Sequence, residues 1–301
     1  MFTKLYYCLW LLFAILYIYM QKYSEILSLV QEEIEQVKNN LLAVVDVPIP
    51  LRSKLNEFFC APAKHIRPLI SFLYLNALDL KIDKPQIEYQ SAIEIVHNAS
   101  LIHDDVIDNA DERRNIKTIN TIYGNKMAIL TGDYLLSQGL KKVALLGESR
   151  LIELFYDTLE VMTNGEFNQY FMKDKIPTIE EYIEKSRQKT AKLFETAICG
   201  SLILAKSDVN KGKFFAENFG IAFQIRDDLI NCLTSKSDIN EGIYNAPVIF
   251  AGKSNIDNAS IEKTRILLNN YISNAEDILT LLPKNRYSLA LKDLLRYIKN
   301  E

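Results

Sequence analysis

From residue 23 onward, apolar side chains return every three or four positions. Ile26, Leu27, Val30, Ile34, Val37 and Leu41 form one stripe with Glu and Lys between them, which predicts an amphipathic helix. Pro48, Pro50, Pro62, Pro68 and Pro85 punctuate the early chain, and no further proline occurs until Pro177 and then Pro247. Long helices fit those gaps. No run of alternating β-branched residues with Asn-Gly or Asp-Gly turns supports a sheet, and no internal repeat or low-complexity tract interrupts the pattern. The expectation is an all-α fold.

One stretch breaks this periodicity. Leu5 to Met20 is continuously apolar, flanked by Lys4 and Lys22, with Tyr6, Tyr7, Trp10, Tyr17 and Tyr19 near its ends. As a helix it spans roughly 24 Å, against a hydrocarbon core of about 30 Å. Flanking aromatics suit a membrane interface, and no small-residue cleavage site follows, so residues 1–22 are read as an uncleaved anchor with membrane contact through residues 5–20. The alternative is a buried helix or an oligomer contact. Residues 23–301 form the main domain.

Composition narrows the function. With 301 residues, 49% hydrophobic and 24% charged, the chain can pack a substantial core, and no shift in composition marks a second one. A net charge of −3 supplies no field for gripping nucleic acid, so no nucleic-acid partner is expected. Only 10 glycines occur, and neither a G-x-G-x-x-G nor a P-loop motif is present. Cys8, Cys60, Cys199 and Cys232 form no C-x-x-C pair, which suits a reducing compartment and a cytoplasmic location. His65, His97 and His103 are too scattered for a metal cluster, so any bound metal must be held by carboxylates.

Such carboxylates exist. In Leu101-Ile102-His103-Asp104-Asp105-Val106-Ile107-Asp108, a helix places Asp104 and Asp108 one above the other and turns Asp105 about 100° away. Stacked like charges repel unless a cation lies between them. Few, hard oxygen ligands suit Mg²⁺, which keeps waters and bridges to substrate phosphates. A second pair, Asp227-Asp228, follows the mostly apolar run from Phe219 to Arg226, with Asn231 in the fifth position of the motif. Five cations, Lys64, Arg67, Arg113, Arg114 and Lys189, accompany these pairs. Converging with them, they make a site for two phosphate-bearing ligands bridged by metal.

These segments resemble the trans-isoprenyl diphosphate synthase family. The resemblance rests on residues 101–108 followed by Arg113-Arg114, on Thr131-Gly132-Asp133-Tyr134-Leu135-Leu136, on Lys189-Thr190-Ala191-Lys192-Leu193-Phe194-Glu195, and on Phe223-Gln224-Ile225-Arg226-Asp227-Asp228, in family order. It covers the chain from about residue 23 to the end. It implies a single-domain bundle of antiparallel helices around a deep central cavity, with the two aspartate segments facing across its mouth. By the same resemblance, Asp104, Asp105, Asp108, Asp227 and Asp228 hold Mg²⁺. Lys64, Arg67, His97 and Arg114 bind isopentenyl diphosphate, and Arg113 and Lys189 grip an allylic prenyl diphosphate. Lys189, Thr190 and Gln224 form the catalytic set, Thr190 and Gln224 presenting oxygen dipoles to a carbocation. The implied assembly is a homodimer, a heteromer being the other possibility.

The chain departs from the family in three places. Pro62-Ala63-Lys64-His65-Ile66-Arg67-Pro68 replaces a family Gly-Gly-Lys-Arg-x-Arg-Pro, Asn231 closes the second motif, and the lysine expected after Glu241-Gly242 is Ile243 in a shortened loop, where Lys236 is a candidate to compensate. These changes raise a competing reading as a non-catalytic subunit of a heteromeric synthase. The retained acidic and basic positions favour catalysis. A terpene cyclase leaves Lys64, Arg67 and Arg114 with no second diphosphate to bind. Ala99 and Ser100, just before the first aspartates, are both small, and short-chain family members commonly place an aromatic plug at the position of Ala99, so the expected product is long-chain, thirty carbons or more, and a farnesyl or geranylgeranyl product is the alternative.

Overall fold

Asp83 and Gln86 cap each other across the first helical turn and Pro85 sits within that turn, so a 24-residue helix starts at Lys84 and runs to Ile107. It is the central element of the computed structural model, which describes residues 21–234, 242–252 and 256–300. A helical stretch at 21–28 leads into α1 (Gln31–Ala43), α2 (Ile49–Cys60), α3 (Ile66–Ala77) and this long α4 (Lys84–Ile107). There follow α5 (Ile119–Tyr123), α6 (Asn125–Leu145), α7 (Ser149–Phe171) and α8 (Ile179–Ser186). A π-helical turn, Arg187–Ala191, joins α8 to α9 (Lys192–Leu204), and then come α10 (Asn210–Thr234), α11 (Ala246–Ala251), α12 (Asn258–Thr280) and α13 (Arg286–Asn300).

The all-α expectation holds, with two local differences. The first amphipathic stripe is buried as read, at Ile26, Val30, Ile34, Val37 and Leu41, but the helix breaks at residues 29–30 without proline or glycine. Between α4 and α5 lies a two-residue antiparallel hairpin, Glu112–Arg113 against Ile116–Lys117. Its turn residues Arg114 and Asn115 both have positive φ, 54° and 62°, as a tight hairpin turn demands. The Arg-Asn turn lacks the Asn-Gly or Asp-Gly signature, so the sequence pattern did not announce it. The candidate anchor Leu5–Met20 and Lys236 lie outside the described residues; among those described, no helix is long and apolar enough to cross a membrane.

Helix α4 is enclosed on almost every side. Its Ala99 and Ile102 pack with α2 and α6, and its Tyr89, Ile93 and Val96 pack with Phe155 of α7 and Leu193 and Ala197 of α9. Two glycines of α6 allow the closest approach: a Cβ at Gly132 would lie 2.2 Å from His103 Nε2, and one at Gly139 2.7 Å from Val96. Gly200 of α9 plays the same part against the Tyr89 ring, whose hydroxyl donates to the Thr196 carbonyl at 2.8 Å. A methyl at position 200 would fall 2.0 Å from that hydroxyl. Gly200→Ala therefore lowers stability by about 1–3 kcal/mol, read as a lower urea midpoint with unchanged slope; an unaltered midpoint would mean that Tyr89 can move aside.

Candidate active site

A cavity of about 1170 Å³ opens between α4, α7, the π turn with α9, and α10. Its shaft is apolar, with Val96, Leu136, Leu159 and Leu193, and its mouth is charged, with Asp104, Asp108, Arg113, Glu166, Lys189 and Asp228. Ala99 and Ser100 line it, as the sequence suggested.

Helix geometry divides the first acidic segment. Asp104 and the capping residue Asp108 line the cavity, while Asp105 is turned into the protein, 2% exposed, and accepts from Arg113 Nε at 2.6 Å. Asp105 is thus an anchor for the hairpin rather than a group facing the cavity. Burial, reinforced by Glu166 and Asp108, pushes the Asp104 carboxyl up to about 7. Carboxylates held this close in a half-closed site lower their mutual repulsion by taking up a cation. No preassembled group of three metal-type side chains occurs among the described residues. Two oxygen donors one helical turn apart fit a Mg²⁺ ion whose remaining positions come from water and phosphate.

The second pair divides in the same way. Asp228 lines the cavity, while Asp227 lies half-exposed outside its lining and pairs with Arg226 at 2.8 Å. Both oxygens of Asp228 are oriented by neutral donors: Tyr182 Oη at 2.6 Å and Gln224 Nε2 at 2.7 Å. Thr190 in turn donates to Gln224 Oε1 at 2.5 Å. The Gln224 oxygen is engaged, so within this network the Thr190 hydroxyl oxygen keeps lone pairs for the cavity, and Gln224 links it to Asp228.

The π turn carries Lys189 and Thr190 into the cavity wall, a frequent use of such bulges. Lys189 pairs with Glu166 of α7 at 2.5 Å. Gly165 makes this possible, because a Cβ there would already press at 3.0–3.1 Å on Gln188 and Lys189. Glu166 was missed in the sequence; its only signal was a lone Gly-Glu within a helix.

The remaining cations gather around α3. Arg67 lines the cavity, lies over the Phe194 ring at 4.6 Å and leaves its buried Nε without a hydrogen-bond partner among the described residues. Burial pulls its guanidinium down to about 10, so it remains charged at neutral pH. Burial and then Arg67, Arg114 and Arg113 hold His97 well below the usual histidine range, which keeps its ring neutral beside them. Lys64 and Arg114 stand off the cavity lining: Lys64 donates to Tyr297 Oη at 3.0 Å, and Arg114 lies over the Phe58 ring. The altered segment before Arg67 has its own solution. His65 takes the left-handed conformation at φ 46° and pairs with buried Glu94 at 2.8 Å.

A helical bundle enclosing an apolar shaft, with acidic ends of two helices and unpaired guanidinium capacity at its mouth, defines an enzyme that handles a diphosphate joined to a hydrocarbon. The family model for polyprenyl synthetase matches residues 50–281, and the chain belongs to that family of prenyltransferases. It is 30% identical to a prenyl transferase of Cyanophora paradoxa over 93% of this chain and 98% of that protein. It is also 30% identical to a decaprenyl-diphosphate synthase of Dictyostelium discoideum, over 77% of this chain and 56% of that protein. The fold superposes on a polyprenyl synthase of Caulobacter crescentus, solved with calcium and isoprenyl diphosphate, with a TM-score of 0.85 at 20% identity, covering 93% and 98% of the two chains.

Because the Asp104 carboxyl is raised from the ordinary range near 4 to about 7, the folded protein binds a proton there that the unfolded chain releases. Stability in the absence of cations is therefore lost as pH rises between those values and then levels off. Asp104→Asn removes that loss. In excess chelator at pH 8 the variant melts a few degrees above the parent, a gain on the order of 1 kcal/mol, and the gap closes as pH falls towards 4; a lower melting temperature at pH 8 would contradict the burial of this charge.

Proposed function

We propose that this chain catalyses the Mg²⁺-dependent, head-to-tail condensation of isopentenyl diphosphate with an allylic prenyl diphosphate, giving a long-chain all-trans polyprenyl diphosphate. The observation that carries this reading is the unplugged shaft: small Ala99 and Ser100 sit directly beneath Asp104, with apolar Val96, Leu136, Leu159 and Leu193 below them. The relation to the Dictyostelium decaprenyl-diphosphate synthase supports the same product class.

Asp104 and Asp108 from α4 and Asp228 from α10 hold the metal in this reading, with Asp105 and Asp227 acting through Arg113 and Arg226. Bound there, Mg²⁺ neutralises the charge that develops on the diphosphate leaving group as its C1–O bond breaks. Lys189 leaves Glu166 for the allylic diphosphate, and Arg113 reaches the same group while Asp105 fixes its stem. Arg67, with its unfilled Nε, holds isopentenyl diphosphate, and neutral His97 adds a hydrogen bond; Lys64 and Arg114 supply charge from just outside. Thr190 turns its oxygen towards the allylic cation. The double bond of isopentenyl diphosphate then attacks C1, and the proton lost afterwards goes to the departing diphosphate, leaving a chain five carbons longer. Fixed dipoles and charges of this kind act without reorganisation.

The catalytic domain in this reading is residues 23–301, with residues 1–22 holding it at a membrane. Tyr123, Met127 and Leu130 expose an apolar face along α5 and α6, which supports assembly of two copies there.

Purified protein given labelled isopentenyl diphosphate, farnesyl diphosphate and Mg²⁺ should form products of thirty carbons or more, and chelator should stop the reaction until Mg²⁺ is restored. Asp108→Ala should cost at least a hundredfold in turnover, on the order expected for a lost electrostatic group, with helical content unchanged. Near-parental turnover would remove the metal assignment.

Ala99→Phe tests the shaft separately. A ring cannot share a close-packed channel with a growing tail, so chromatography of the dephosphorylated products should show roughly fifteen to twenty carbons, by the burial of five carbons per step. A parent enzyme that already stops at that length would place the floor of the cavity elsewhere.

A further inference from the structure

Among the described residues, four lysine or arginine side chains line the cavity: Arg67, Arg113, Lys185 and Lys189. Three already have a place in the reading above. Arg113 leans on Asp105, Lys189 on Glu166, and Arg67 on the ring of Phe194. Lys185 has none.

Its position is defined by what holds it. Lys185 stands in the last turn of α8, four residues before Lys189, and its ammonium lies 5.5 Å from the centre of the Tyr182 ring. That ring is fully buried and its hydroxyl donates to Asp228 at 2.6 Å. One rigid side chain therefore sets the place of both the lysine and the second acidic motif. A cation seated on an aromatic face keeps its donors directed away from the ring. Towards the mouth, the same cavity is bordered by Ile243, the apolar residue in the place where the family resemblance expects a lysine. Lys185 and Ile243 thus border one volume.

Resting on the prenyl-transfer reading, we propose that Lys185 binds the allylic diphosphate, supplying from α8 the positive charge that position 243 does not. The allylic group is then held by Arg113 from α4's hairpin side and by Lys189 and Lys185, one helical turn apart, from the opposite wall. A lysine suits this role because its ammonium acts as a point charge that can follow the phosphate as the bond breaks.

The test uses the full chain and compares Lys185→Met, Lys185→Met with Ile243→Lys, and Lys173→Met, a nearby rim lysine that does not line the cavity. Calorimetric titration with inorganic pyrophosphate and Mg²⁺ reads the site without turnover, and KM values for farnesyl and isopentenyl diphosphate read it during turnover. Lys185→Met should weaken pyrophosphate binding and raise the farnesyl diphosphate KM about ten- to a hundredfold, the size of a charge-assisted hydrogen bond. The isopentenyl diphosphate KM should stay within about twofold, Ile243→Lys should restore most of the loss, and Lys173→Met should change neither quantity. Unchanged pyrophosphate affinity in Lys185→Met, an equal loss for isopentenyl diphosphate, an equal loss in Lys173→Met, or no recovery with Ile243→Lys would each overturn the assignment. A parent protein that binds pyrophosphate through Lys185 but transfers no prenyl group would overturn the functional reading and leave this one standing.

Discussion

Like charge confined in a half-closed space is the constraint around which this molecule is built. Asp104, Asp108, Glu166 and Asp228 all border one cavity, and burial makes the ionised form of Asp104 costly. Two of its acidic neighbours have specific partners. Lys189 neutralises Glu166, while Tyr182 and Gln224 each donate to one oxygen of Asp228. Burial, Glu166 and Asp108 hold the Asp104 carboxyl above its ordinary range, near the end of the long helix α4. In the proposed reading a bound cation would relieve this crowding of like charge, and metal affinity and stability of the bundle would be linked.

Holding the charges so close requires the helices to approach closely, and this explains where glycine appears in a glycine-poor chain. Gly132 and Gly139 bring α6 onto α4, Gly165 brings α7 onto the π turn, and Gly200 brings α9 onto Tyr89. Each of these contacts lies on a wall of the cavity or just beneath it. A side chain at any of them would separate the walls that carry opposing charges, and the Coulombic terms that set the site would fall with distance.

Much of this was legible in the chain. Periodicity assigns the buried face of the first helical region correctly, and the spacing of Asp104 and Asp108 predicts their common face and the turning away of Asp105. What spacing cannot show is which partner meets a side chain that turns away. Asp105 meets Arg113 across the short hairpin that follows α4, and Asp227 meets its own neighbour Arg226, choices set by local geometry that a spacing rule does not contain. Glu166 and Tyr182 carry no motif, because their roles arise from elements distant in sequence that pack side by side. His65 is the opposite case. The resemblance marks its segment as altered by two lost glycines and an arginine, and the structure shows the left-handed conformation falling on the histidine itself, held by buried Glu94. Such a pair is costly to break on one side only, so the departure is stabilised locally rather than simply tolerated.

The depth of the cavity follows from the same helices in step. From Asp104, α4 descends through Ala99 and Val96 to Tyr89; from Glu166, α7 descends through Met162 and Leu159 to Phe155; from Lys189, the π turn and α9 descend through Leu193 to Gly200. The upper residues of all three lines border the cavity, and below them Tyr89 and Phe155 lie buried in one core cluster. Tyr89 and Phe155 meet edge to face, ring centres 5.6 Å apart, with the Tyr89 hydroxyl tied to Thr196. Rings locked in this way are held rigidly, because moving one would break a buried hydrogen bond and open a void in a close-packed core. The rise from Tyr89 to Asp104 along α4 is roughly 22 Å. In the prenyl-transfer reading, the small residues at 99 and 100 let the tail pass along α4, and a ring at either position would fill the shaft that they leave open.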